Sequence, residues 1–452
     1  MPIGLYISVP FCRAKCSFCN FASGVFSRQL LDRYVAYLER ELGRAEQTAA
    51  EVGGSFERQA DSVYLGGGTP SILAPDQLKA IFSAIRGSFE VLPGAEITIE
   101  CAPGTITPEL LQALAECGVN RISLGVQSFV EQESRAVGRL HTREIVLAEI
   151  AQLRRTGISE ISIDLIAGLP HQTEDSWRRS LAETIASGVP HVSVYMLEVD
   201  EDSRLGRELI AGGARYHAHF VPDDDLTADL YTLACEELNG AGIRQYEISN
   251  FARNGAGAGS PEGLPAHASR HNLKYWQRQP YLGFGVDAHS MLEARDPENP
   301  AYPTSAQQRG GTSTPPDEQR VCWGPRTRGT HKNRSAIAVR FATTDELDQL
   351  LSGSELEVTR LEERAAVEEM WFLGLRLNRG VELHQVESAC GQEEMRRYRA
   401  LVEELEAGGL LKVERGFARL TPRGRLLSNE VFSRFLLDPG IPGKPVFGLL
   451  GC

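Results

Sequence analysis

The sequence predicts an α/β protein: an incomplete (β/α) barrel or a doubly wound parallel sheet, followed by a C-terminal helical, winged-helix-like module. Three observations lead there. Between residues 3 and about 250, short apolar runs alternate with longer amphipathic ones, the pattern of βαβ units and a parallel sheet. After residue 292 the alternation stops. From about 343 helical patterns return and end in two short β-like runs.

Taken in order, the apolar runs are "GLYISV" (4–9), "DSVYLGG" (61–67), "EITIECA" (96–102), "RISLGV" (121–126), "EISIDLI" (160–166) and "HVSVYML" (191–197). Helix-like stretches separate them at roughly 28–49, 75–87, 107–117, 142–156, 174–187 and 224–240. "YEISNF" (246–251) adds one further strand at an edge. Residues 293–334 are rich in Pro, Gly, Thr and Arg without a period, and read as an insertion or mobile loop between a core at 1–292 and a module at 335–452. Within that module "EEMRRYRALVEELEAGG" is a helix ended by Gly408-Gly409. "LLKVERGFARLTPRGRLL" then supplies two β-like runs and another helix. Winged helices often bind DNA, but the candidate recognition helix carries several Glu residues.

Composition narrows the class. The 452 residues are 42% apolar and 24% charged, with a net charge of −13, which disfavours non-specific nucleic-acid binding and broad attachment to an acidic membrane. No apolar run is long enough to span a bilayer, and "MPIGLYISVP" lacks the features of a secretory signal. Cytoplasm is the expected compartment, with membrane association at most peripheral. Nine cysteines, six of them scattered singly, do not form a disulfide framework.

The other three, Cys12, Cys16 and Cys19, are clustered in "PFCRAKCSFCNF". Three thiolates at C-x3-C-x2-C can hold three corners of a [4Fe–4S] cube and leave the fourth iron open. A zinc site with a distant fourth ligand is the plainer alternative, but no second cysteine pair follows. Reacting groups of a parallel α/β barrel sit at the C-terminal ends of its strands. There this chain carries the cysteine loop, "GGGTP" (66–70), Glu100, Gln127 and Asp164 in succession. "GGGTP" lacks the Lys of a P-loop and does not have the G-x-G-x-x-G spacing. It provides backbone that a small zwitterion can approach closely.

"CRAKCSFC", "GGGTP", "GVNRISLGVQSF" and "GRLH" together resemble the radical S-adenosylmethionine superfamily. Within it they resemble the branch of oxygen-independent coproporphyrinogen III oxidases and HemW-type haem chaperones. The resemblance selects a partial (β/α)6 barrel. It implies Cys12, Cys16 and Cys19 as cluster ligands and S-adenosylmethionine on the open iron. It also implies Gly67, Gly68 and Thr69 around the methionine end, with Glu100, Gln127, Arg139 and Asp164 as further cofactor contacts and Tyr6 and Phe18 beside the cluster. One-electron cleavage to a 5′-deoxyadenosyl radical would be the cofactor's own chemistry.

Two features separate the members of the branch. Oxidases resemble C-x3-C-x2-C-x-C, and Phe21 stands here where their extra cysteine lies. "RHNLKYW" (270–276) matches the H-N-x-x-Y-W signature of the haem chaperones through His271, Asn272, Tyr275 and Trp276. An imidazole can ligate haem iron, and Tyr and Trp offer faces to a flat macrocycle. The resemblance thus implies haem binding and delivery to haem-requiring acceptor proteins such as cytochromes, allows a homodimer, and gives nucleic acid no role. Oxidative decarboxylation of coproporphyrinogen III is the alternative. His141 and His289 are candidates for the site's lining; His171, His191, His217 and His219 read as surface or core.

Overall fold

A computed structural model describes residues 1–201, 203–255, 263–295 and 336–436. Almost all of the expected 293–334 insertion therefore lies outside the described residues. Six strands run parallel in chain order: β1 (Ile3–Val9), β2 (Gln59–Gly67), β3 (Glu90–Cys101), β4 (Arg121–Gln127), β5 (Glu160–Ala167) and β6 (His191–Met196). Beyond β6 the edge is a hairpin, β7 (Ile243–Gln245) and β8 (Asn250–Arg253), rather than one strand over "YEISNF". The Gln245 side chain donates to the Ile248 carbonyl and Glu247 accepts from the Ser249 amide, which holds the intervening residues as a turn. On the other side β9 (Tyr281–Phe284) runs parallel to β1. It is followed by antiparallel β10 (His289–Glu293), β11 (Ala338–Ala342) and β12 (Glu357–Leu361). The twelve-stranded sheet ends on β12 and β7 and does not close into a full barrel. Residues 338–361, expected with the C-terminal module, thus extend the core sheet, because β11 bonds to β10 across its whole length.

Buried parallel strands usually read as continuous apolar runs. These alternate instead. Leu5, Ile7, Val9, Val63, Leu65, Ile122, Leu124, Ile161 and Ile163 are wholly buried on one face. That face lies under helices such as Arg28–Gly43, which buries Leu31, Tyr34, Val35, Leu38 and Leu42. Each such side chain contributes about 1.5–3 kcal/mol. The opposite face carries Tyr6, Ser8, Tyr64, Gly66, Thr98, Glu100, Ser123, Gly125, Ser162, Asp164 and Ser193. Register aligns them, with Glu100 opposite Ser123 and Asp164 opposite Gly125 and Ser193. The concave side of the sheet is therefore polar. Four helices that follow these strands are capped at their N-termini by the side chains of Thr107, Thr142, Thr173 and Asp223, each worth about 1 kcal/mol.

The N-terminal ends of the strands are sealed by the segment before β9. Arg121, buried, pairs with Glu96 at 3.6 Å and Glu160 at 3.5 Å and donates to the His267 carbonyl. Below it lies the helix Arg270–Trp276, capped by Ser269. Glu96 accepts from the Arg270 and His271 amides at 3.1 and 3.0 Å, a carboxylate where the helix dipole favours one. Lys274 ties the helix to Asp61 at 2.7 Å and to the Pro2 carbonyl at 3.0 Å.

The C-terminal elements are the helices Glu363–Gly374, Leu383–Ala407, Pro422–Leu426 and Ser428–Arg434 around a small antiparallel sheet. That sheet comprises β13 (Val381–Glu382), β14 (Leu411–Glu414) and β15 (Phe417–Leu420). The long helix is broken at Gly391 and stopped by Gly409 in the left-handed region. Trp371, Tyr398 and Phe435 stack at its centre, in a hydrophobic cluster that also takes in Tyr246, Ile248, Leu273 and Trp276 from the core.

Candidate cluster and cofactor site

The cysteine loop leaves β1 at Val9 and is clipped at its neck. The Cys12 amide donates to the Gly24 carbonyl and the Gly24 amide to Pro10, both at 2.9 Å. Its far side is tied by Ser17 to the Val137 carbonyl and by the Leu205 amide to Ser17. Cys16 is buried while Cys12 and Cys19 are half-buried. Burial pushes the Cys16 thiol up, the neighbouring Arg139 guanidinium opposes that, and Cys19 and Cys12 add to it. Thr69 donates to Cys12 Sγ at 3.5 Å, joining this loop to the glycine turn. Among the described residues no group of three or more His, Cys, Asp or Glu could hold a single metal ion. Ligands of a cube each bind a different iron, so that requirement does not apply to them.

The Gly67 and Gly68 amides are both engaged within the protein. The Gly67 amide donates to Glu100 at 3.1 Å, and the Gly68 amide to the Val9 carbonyl at 2.9 Å. Their smallness does the work. A Cβ on Gly68 would meet the Phe11 and Val9 backbone at 2.7–2.8 Å, and Gly67 holds a φ of +104°. The two loops can touch only here without side chains.

Glu100, near the end of β3, accepts from the Tyr64 hydroxyl at 2.8 Å. Desolvation raises its pKa to about 7; Tyr64, Gly67 and Arg139 pull it down while Asp164 pushes it up. Asp164 lies inside β5 rather than at its end. It accepts from Ser123 at 2.8 and 2.9 Å, Ser193 at 2.8 Å and Ser162 at 3.3 Å, and burial still raises its pKa. Gln127 sits at φ +65°, a left-handed strain that turns the chain from β4 into the loop leading to Arg139. Arg139 approaches Gly125, and its Nε is buried with no partner among the described residues. An orphaned guanidinium N–H, two carboxylates and a side-chain-free strip fit an amino acid bearing a carboxylate and an ammonium. Tyr6 stacks on Tyr64 at 6.1 Å, and Phe18 packs beside Val137, Ile166 and Leu169. Cys12, Cys16, Cys19, Gly67, Gly68, Thr69, Glu100, Gln127, Arg139, Asp164, Tyr6 and Phe18 thus share one mouth of the sheet. Tyr64, Ser123 and Ser193 belong with them, and the polar alternation of every strand was the signal that could have found them.

The H-N-x-x-Y-W residues lie at the other end. His271 is 1% exposed, with Nδ1 3.0 Å from the Ser62 hydroxyl and Nε2 2.8 Å from the Tyr275 hydroxyl. Burial, reinforced by Lys274, lowers its pKa to about 3. Asn272 and Trp276 are buried, and the Arg376 guanidinium lies 4.1 Å above the Trp276 ring. The His271 ring stacks on Tyr64 at 5.2 Å, so one aromatic side chain separates this floor from Glu100.

Comparison with known proteins identifies the family and the fold. Residues 6–183 match the radical SAM superfamily model, and 361–427 match the HemN C-terminal domain. Heme chaperone HemW of Lactococcus lactis is 30% identical over 97% of this chain and 98% of its own length. That of Bacillus subtilis is 31% identical over 95% and 98%. Coproporphyrinogen III oxidase of Escherichia coli shares the fold, with a TM-score of 0.72 at 22% identity over 96% of this chain and 90% of that one. With a relative at 30% identity spanning both chains almost end to end, this chain belongs to the HemW family of the radical SAM superfamily.

Proposed function

We propose that the chain is a haem chaperone that binds haem and passes it to haem-requiring proteins, carrying a [4Fe–4S] cluster and S-adenosylmethionine. The likeness to heme chaperones along nearly the whole chain carries this reading. Phe21, 40% exposed two residues after Cys19, adds to it, since no thiol is available at that position for oxidase chemistry. Cys12, Cys16 and Cys19 would hold the cluster, whose chemistry when bound is one-electron donation. Arg139 would receive the carboxylate of S-adenosylmethionine, Gly67, Gly68 and Thr69 its methionine end, and Glu100 and Asp164 its cationic and hydroxyl groups. Tyr6, Phe18 and Gln127 complete the walls.

His271, Asn272, Tyr275 and Trp276 serve haem in this reading only after the floor helix moves, since both nitrogens of His271 are engaged. Acceptors are haem proteins such as cytochromes, the compartment is the cytoplasm, and a homodimer is allowed. No described helix is long and apolar enough to cross a membrane. As working units we take a core through residue 292, the 293–334 stretch, and a C-terminal module whose own packing starts near residue 363. The test is an anaerobic haem titration of cluster-loaded protein followed by transfer to an apo-cytochrome. Saturable binding and transfer support the chaperone. Turnover of coproporphyrinogen III without haem binding would favour the oxidase.

A further inference from the structure

The closed chain offers iron a different imidazole. His171, four residues beyond β5, and the segment Arg215–Phe220 meet at the mouth that holds the cysteine loop. The His171 amide donates to the Phe220 carbonyl at 2.9 Å, and His171 Nε2 lies 2.9 Å from His217 Nδ1. The rings of His171 and His219 both pack on Phe220, at centroid distances of 4.0 and 4.2 Å. Unlike His271, His217 is exposed, and among the described residues its ring makes no other hydrogen bond.

Backbone strain marks the spot. His171, Tyr216 and His217 have φ of +68°, +54° and +58°, three of the seven non-glycine residues in the left-handed region among the described residues. Such conformations cost about 1–3 kcal/mol each and gather at functional sites. The pairing has the form of a supported metal ligand: a ligating imidazole donates its other ring N–H to a neighbour that fixes its orientation. In the tautomer where His217 Nδ1–H donates to His171 Nε2, the exposed His217 ring keeps its lone pair on Nε2.

The surroundings suit a flat apolar ring with anionic edges. Phe220 is 48% and Tyr216 39% exposed, and Ile210, on the adjoining helix Arg204–Ile210, is 68% exposed. That helix is bonded to the cysteine loop through the Leu205 amide, so the patch and that loop share one rim. Arg207 and Arg215 are exposed beside it, cations available to carboxylates on a chain of net charge −13.

We infer that His217 Nε2 is the axial ligand to iron when haem docks on the closed chain, with His171 as its positioning residue and Phe220 and Tyr216 as the contact face. This rests on the chaperone reading. The test is an anaerobic haem titration of the cluster-loaded full chain, wild type against His217→Gly. Glycine accepts φ of +58° without strain, so this variant keeps the fold. We expect one-to-one binding with an imidazole-ligated Soret band in the wild type. His217→Gly should bind at least tenfold more weakly (about 1.4 kcal/mol) with a shifted band, and free imidazole should restore the band. His171→Phe should broaden the ligand-field signature while retaining His217 ligation. Wild-type affinity and spectrum in His217→Gly overturn the inference and leave the chaperone reading standing. No haem binding by the wild type overturns both. If His217→Gly loses zinc binding but keeps haem unchanged, the pair is a bare-cation site and the haem assignment fails.

Discussion

Two residues decide how the proposed chemistry is protected. Gly68 lies where the cysteine loop and the β2 turn touch, with no room for a Cβ against the Phe11 and Val9 backbone. Gly68→Ala should destabilise the protein by about 1–3 kcal/mol and weaken S-adenosylmethionine at least tenfold. Thermal unfolding and calorimetric titration measure both, and an unchanged affinity would remove the glycine strip from the site. His271 sets an acid limit. Its pKa falls from an ordinary 6.5 to about 3 through burial. Between those values the unfolded chain binds more protons than the native one, so stability is lost as pH drops through that window, by an amount of order a few kcal/mol. His271→Gln should flatten this limb in urea midpoints taken from pH 7 to 4. A variant that stays as acid-sensitive as the wild type would show that the imidazole is not sealed as described.

At the scale of elements, the floor helix Arg270–Trp276 is held from three sides, and Glu369 is where they join. It accepts from Arg278 Nε, just past that helix, at 2.6 Å and from Arg340 Nε on β11 at 2.7 Å. Glu369 belongs to the helix Glu363–Gly374, so one carboxylate links the floor, the sheet edge and the C-terminal module. Removing one member of such a buried cluster strands the others. Glu369→Leu should cost about 3 kcal/mol, read as a lowered urea midpoint. A shift under about 1 kcal/mol would mean the two arginines are solvated rather than held. The polar alternation of β1–β6 belongs to this scale too: it turns one face of the sheet into a lined cavity while the other packs on helices.

For the whole molecule, the second hydrophobic cluster matters most. It is built from both sides of the chain: Trp276 and Ile248 pack with Trp371 and Phe372, and the Ile248 amide donates to the Arg376 carbonyl. A chain ended at residue 361 would uncover that surface. We expect it to aggregate or unfold, seen by size-exclusion chromatography and circular dichroism, whereas a folded monomer would mean the core stands alone. The long helix Leu383–Ala407 exposes Glu393, Glu403, Glu404 and Glu406 together with Arg396, Arg397 and Arg399, so its solvent face carries mixed charge.

The parallel strands, the clustered cysteines and the glycine turn "GGGTP" were legible in the sequence, because strand period and glycine demand are local properties, whereas Asp164, expected at the end of its strand, lies inside β5. So was the likeness to the haem-chaperone branch. Other features depend on residues distant in sequence, whose meeting no period encodes. The sheet edge beyond residue 338 needed the pairing of β10 with β11. The engaged amides of Gly67 and Gly68 needed Glu100 and Val9. The motif "RHNLKYW" names residues able to meet a macrocycle, yet Ser62 and Tyr275 occupy both nitrogens of its imidazole. In the other direction His171 and His217, plain surface residues in the sequence, become a pair only because the turn after β5 and the loop after β6 leave the sheet at the same end. Sequence determined which chemistry the chain can carry; tertiary contacts decided which of its imidazoles is open to it, since burial and hydrogen bonding at each ring come from other strands.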